Sequence, residues 1–148
     1  PFAARQPQGR QDRRGDCRSN CRSCFRRAGQ NRGPLALAKL IFKIVLATEW
    51  REAQAVGMYA GSTKDRADGF LHFSTQEQLQ GTLNRYYANA NDLILVAVDA
   101  NGLGGALKYE PSTAGALYPH LYRSLPLSAV IWARPIARGK TGEFHLPL

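Results

Sequence analysis

Cysteine is missing from residues 35–148: Cys17, Cys21 and Cys24 all lie within the first 34 residues. The remainder of the chain therefore has no disulfide framework, which fits a reducing, cytoplasmic setting. The three thiols, spaced Cys17-x3-Cys21-x2-Cys24 with no histidine nearby, leave a tetrahedral zinc site one ligand short, so no metal is expected. Long apolar runs are also missing. The longest, Leu40 to Leu46, is interrupted by Lys43 and falls well below the ~20 residues that span a bilayer, so no membrane anchor is expected. Nor is there a glycine-rich dinucleotide fingerprint, a P-loop, a nucleophile elbow or a His-Glu-x-x-His helix.

Acidic residues are scarce in one region only. Residues 1–34 hold nine Arg against Asp12 and Asp16, whereas the rest of the chain is close to neutral, so the formal charge of +9 belongs mostly to this tail. Rich in Arg, Gln, Gly and Asn and without a period of 2 or 3.6, the tail is expected to be disordered. The sequence begins without Met, and its single methionine is Met58. Translated upstream sequence, with a true start near Leu35 to Ala38, is one reading of the tail. A transit peptide, or a basic arm for RNA or anionic lipid, are others. Nucleic acid is a partner only through this segment. Residues 35–148 have the length of one domain with its own core.

The expected architecture is α+β, a small mixed sheet with two short helices. Leu40 to Leu46 reads as a buried opening strand. Thr48 then caps a helix through Val56, closed by Gly57, and a loop runs from Tyr59 to Asp68. Phe70 to Ser74 reads as a strand. Thr75 and Gln78 have capping-box spacing and start a helix to about Ala88. Further strands are expected at Leu93 to Val98, Leu107 to Glu110, Ala129 to Ala133 and Glu143 to Leu146. Three prolines make residues 111–126 an ordered loop over the sheet.

Two polar clusters stand out in this apolar chain. One is Asp68-Gly69-Phe70-Leu71-His72-Phe73-Ser74-Thr75; the other is Glu110-Pro111-Ser112, followed by Tyr118-Pro119-His120-Leu121-Tyr122. Alternation along a strand puts His72 and Ser74 on one face and Leu71 and Phe73 on the other. Free backbone N–H groups after Thr75 suit an anion. His120 suits acid–base work, because an imidazole exchanges protons readily under physiological conditions.

Beyond these patterns, Ile41 to Ile44, Glu49-Trp50, Ala67 to Thr75, Leu95 to Asp99, Tyr109 to Ser112 and Pro119 to Tyr122 resemble, in order and spacing, the small bacterial proteins known as domain of unknown function 952. The resemblance covers about residues 39–148. That family's fold is similar to that of ADP-ribosyltransferases, including the NAD-using RNA 2′-phosphotransferases. His72-Phe73-Ser74 resembles the His-x-Ser on a core strand of the latter, and Lys43 occupies an opening strand where they commonly carry Arg or His. The resemblance implies a nucleotide-binding protein, with NAD as its cofactor and ADP-ribosyl or phosphoryl transfer as its chemistry. His72 and Ser74 would then hold ribose or nicotinamide, Thr75 and Lys43 the phosphates, and Glu110 a ribose hydroxyl or developing positive charge. Each group also has a structural use. His72 and Ser74 satisfy buried backbone groups, Thr75 caps a helix, Lys43 snorkels, Glu110 pairs with Lys108 or Arg123, and His120 anchors a loop. A noncatalytic module that binds a small metabolite or a protein is the alternative.

Overall fold

In the computed structural model, which describes residues 39–148, the apolar runs become strands. The Arg-rich tail, its cysteines and the expected start at residues 35–38 lie outside the described residues. In chain order the strands are β1 (Leu40–Leu46), β2 (Met58–Tyr59), β3 (Leu71–His72), β4 (Leu93–Asp99) and β5 (Leu107–Pro111). They continue as β6 (Leu117–Leu121), β7 (Leu125–Pro126), β8 (Val130–Pro135), β9 (Ala137–Arg138) and β10 (Phe144–His145). The helices are α1 (Ala47–Val56), α2 (Thr63–Asp68) and α3 (Leu79–Tyr86), the last entered through a 3-10 turn at Gln76–Gln78. None is long and apolar enough to cross a membrane.

The α+β class holds, but the expected single mixed sheet is corrected to four small sheets. Their orders are β1-β4-β8, β3-β6-β5, β2-β7 and β10-β9, and every strand pair among them is antiparallel. The three helices between the strands are short, of 10, 6 and 8 residues.

Strands β1 and β4 are covered on both faces, which is why they read as continuous apolar runs. Ile41 and Val45 pack with Phe73, Val96 and Leu121 in one core cluster, while Phe42 and Ile44 pack with Leu79, Leu83 and Leu95 in a second. Lys43, between Ile41 and Val45 on alternate positions, points toward the first cluster. α1 ends as expected at Gly57, whose φ of 85° carries its N–H back to the Ala53 carbonyl. It starts two residues earlier than a Thr48 cap implies. Ala47 N–H bonds the Asp92 carbonyl at 2.8 Å, and no side chain caps this end.

Two segments expected as loops contain regular structure. Between Tyr59 and Asp68 lies α2, capped by Ser62 in a capping box with Asp65. Residues 111–126 contain β6, the central strand of its sheet, with Pro119 within it. That proline is tolerated because its carbonyl faces β3 and accepts the Phe73 N–H at 2.9 Å. N and O of one strand residue point the same way, so the missing donor faces the frayed end of β3 and leaves the β5 ladder intact.

Candidate functional site

The register of the three-stranded sheet builds the site. His72 on β3 lies opposite His120 on β6, and His120 lies opposite Lys108 on β5. Strand alternation then collects Lys108, Glu110, Tyr118, His120, Tyr122, His72 and, just before β3, Phe70 on one face. Leu71, Phe73, Pro119 and Leu121 turn to the core on the other. The Phe70 ring stacks on His120 at 4.3 Å between centroids and lies 4.8 Å from His72 and 5.1 Å from Tyr122. The two imidazoles are 5.2 Å apart, edge to face.

Each histidine has a carboxylate on Nδ1. His120 Nδ1 is 2.7 Å from Glu110 Oε2, and the Tyr122 hydroxyl donates to the same oxygen at 2.8 Å. The hydrogen bonds from His120 and Tyr122 hold the Glu110 carboxyl below its usual range. His120 Nε2 has no partner among the described residues. With Nδ1–H committed to Glu110, that nitrogen is the one able to take or give a proton. His72 is different. Its Nδ1 is 2.7 Å from Asp65 Oδ1 and its Nε2 3.2 Å from Asp68 Oδ2, which Lys64 also holds at 2.8 Å.

Behind His72 lies a buried ion pair. Lys43 Nζ donates to both Asp65 oxygens, at 2.9 and 2.7 Å, and the two residues are only 4% and 3% exposed. Asp65 also accepts from the Ser62 N–H and hydroxyl, at 2.9 and 3.0 Å, and from the His72 N–H at 3.0 Å. Burial opposes the charge on both partners. For Asp65 the hydrogen bonds from His72 and the Lys43 charge overcome that burial and hold the carboxyl well below its ordinary value of 3.8. For Lys43, burial outweighs the attraction of Asp65 and pushes the ammonium down.

The structure thus brings His72, Glu110 and His120 together, and ties Lys43 to them through Asp65 rather than placing it on the open face. Ser74 parts from His72. After Phe73 the chain leaves β6 and bridges to Phe42 of β1, so the strand alternation no longer refers to one sheet. The buried Ser74 hydroxyl lies 3.2 Å from Thr82, whose own hydroxyl donates to the Gln78 carbonyl at 3.0 Å. Thr75 stands at the expected capping box, its N–H bonded to Gln78 Oε1 at 3.0 Å, but the turn it opens is a three-residue 3-10 segment. Sequence reasoning missed Asp65. Its signal was present, since Ser62-x-x-Asp65 has the same spacing as Thr75-x-x-Gln78. Among the described residues, no group of three or more His, Cys, Asp or Glu side chains is arranged to hold a metal ion.

A family model described as Protein of unknown function (DUF952) matches residues 44–133, which include Asp65, His72, Glu110 and His120. The chain belongs to this family. It is similar to protein CC0527 from Caulobacter crescentus, whose crystal structure is 42% identical with a TM-score of 0.69, covering 72% of this chain and 93% of that one. The solution NMR structure of CC0527 is likewise 42% identical, with a TM-score of 0.65 over 71% of this chain and 90% of that one. Comparison with curated proteins finds no match. For this DUF952 chain, the depressed Asp65 carboxyl has a testable consequence. Its contribution to stability is complete above the unfolded value near 3.8 and is lost as pH falls through the lower folded value. In a carbon NMR titration, the Asp65 carboxyl signal is expected to remain that of the carboxylate at about pH 3, when an ordinary aspartate is mostly protonated. Half-protonation near 3.8 would show that Lys43 and His72 do not stabilise it.

Proposed function

We propose that the histidine face of the three-stranded sheet binds a nucleotide of the NAD or ADP-ribose kind, and that His120 supplies acid–base chemistry for ADP-ribosyl or phosphoryl transfer. The observation that carries this reading is the Glu110–His120 pair, at 2.7 Å, with the Phe70 ring stacked on the imidazole and Nε2 without a partner among the described residues. A carboxylate on Nδ1 selects the tautomer and orients the imidazole, as in other acid–base histidines. The rings of Phe70 and Tyr122 offer apolar surface to a base or nicotinamide. A fold similar to ADP-ribosyltransferases, implied by the family resemblance, belongs to the same proposal and carries weight at the level of fold alone.

Residue roles follow from position. Glu110 orients His120, and the His72 ring, held by Asp65 and Asp68, flanks the ligand. Lys43 acts on the site through Asp65. Ser74 and Thr75 support the entry to α3. The second reading, a module that binds without chemistry, is favoured by one observation: both His72 nitrogens are engaged by carboxylates, which leaves His120 Nε2 as the one unpartnered imidazole nitrogen on the face among the described residues.

The test is a thermal-shift titration with NAD, ADP-ribose, nicotinamide and 2′-phosphorylated RNA. A ligand at about 100 times its dissociation constant stabilises the folded state by about 2.7 kcal/mol. The expected result is a saturable shift with at least one nucleotide, lost in His120→Ala and weakened in Glu110→Gln. No shift with any of them would end the nucleotide reading, and binding by wild type without product would leave the noncatalytic one.

A further inference from the structure

We infer that the open cleft beside Phe70 and Tyr122 is a phosphate subsite, which takes the phosphate group of a single nucleotide moiety. The inference rests on the nucleotide reading above and narrows it. The cleft, of about 270 Å³, lies between α2 and the segment that follows β6, and its walls include Arg66, Arg123, Ser124, Phe70 and Tyr122. Arg66 comes from the last turn of α2 and Arg123 from the bend after β6, so two arginines line one cavity from separate elements.

Both retain donors. Arg123 gives one nitrogen to the Leu103 carbonyl at 3.3 Å, which anchors the side chain and leaves its remaining N–H groups available. Neither Arg66 nor the Ser124 hydroxyl has a side-chain hydrogen bond or ion pair among the described residues. Asp65 also lines the cleft, but its charge faces Lys43 at 2.7 Å and its oxygens already accept from Ser62 and His72. Lys108, 4.8 Å above the Tyr122 ring, and Glu110, which accepts from the Tyr122 hydroxyl, lie on the neighbouring histidine face and offset each other. Of the charged side chains that line the cleft itself, two are arginines and the third, Asp65, is paired, so the lining favours an anion.

Planar guanidinium forks match a phosphate group, and two of them with a hydroxyl supply donors for several of its oxygens at once. The adjoining aromatic wall suits a ring system attached to that phosphate. Size restricts the ligand further. Pockets that enclose whole small-molecule ligands run from about 300 to 1,000 Å³, so a cleft of about 270 Å³ holds one nucleotide moiety and not both halves of a dinucleotide. A dinucleotide would place one half here and leave the other over the histidine face.

Isothermal titration of the full chain with AMP, adenosine and inorganic phosphate tests this. AMP is expected to bind at least about tenfold more tightly than adenosine, with a preference that weakens as salt rises. Arg66→Gln and Arg123→Gln should each remove most of that preference. Because the Arg66 side chain makes no hydrogen bond or ion pair among the described residues, its variant should keep the wild-type melting temperature. Equal binding of AMP and adenosine, or a preference that survives both substitutions, would overturn the subsite. If adenosine and AMP bind equally and His120→Ala abolishes both, the nucleotide site stands while the subsite falls. If the phosphate preference is present but indifferent to His120→Ala, the subsite stands and the histidine face loses its role. No binding of AMP, adenosine or phosphate would remove both.

Discussion

Asp65→Ala is expected to destabilise the protein by about 3–5 kcal/mol, the range for removing one partner of a buried ion pair. The loss is large because a buried ammonium remains. Lys43 is 4% exposed in an otherwise apolar cluster, and among the described residues Asp65 is the only hydrogen-bonded partner of its ammonium. The same substitution strips an acceptor from the Ser62 N–H and hydroxyl and from His72, so α2 and β3 lose their common anchor. Lys43→Met in the Asp65→Ala background should recover part of the loss, because no unpaired charge then stays inside. Urea unfolding of wild type, both single variants and the double variant gives the full cycle. A single Asp65→Ala variant within about 1 kcal/mol of wild type, or a double variant no more stable than it, would show that the pair does not hold the fold. The result also bears on the site, since Asp65 sets the orientation of His72.

Gly61→Ala is the second large effect, expected at about 2–5 kcal/mol from two separate causes. Gly61 has φ +100°, where a side chain is strained, and a Cβ there would fall 2.6 Å from Leu71 Cδ2 and 2.8 Å from Asp65 Cβ. Those two atoms belong to the core face of β3 and to the buried ion pair. Neither can move freely, because Leu71 is packed in the first core cluster and Asp65 is held by its hydrogen bonds. Gly57 separates the two causes. It has φ +85° but nothing within 4 Å of a Cβ, so Gly57→Ala should show the backbone strain alone, about 1–2 kcal/mol. Equal losses in the two variants would mean that the crowding at Gly61 is relieved at no expense. A larger loss at Gly61, together with a weakened ligand-induced thermal shift, would show that displacing Asp65 is transmitted to His72.

How much of this was legible beforehand differs from residue to residue. His72, Glu110 and His120 were readable as candidates because polar side chains of that type stood in short, apolar surroundings. Their grouping was not readable: it depends on the register of β6 between β3 and β5, and β6 itself was hidden by Pro119. Proline argues against a central strand wherever the neighbouring strand needs its N–H, and nothing local says that β3 frays opposite this one. Lys43 was visible as the lone charge of an apolar strand, yet its partner lies 22 positions away in a segment read as a loop.

The sequence by itself determined the α+β class, the strands β1 and β4, the Gly57 stop of α1 and the two clusters that hold the site, because periodicity, turn residues and capping spacings act over a few neighbouring positions. Only the tertiary structure decided that the strands form four antiparallel sheets, that Ser74 turns away from His72 and that Lys43 is neutralised by Asp65. Those outcomes depend on which distant segments meet, and contacts between them are set by the burial and hydrogen bonding of the whole chain rather than by any local pattern.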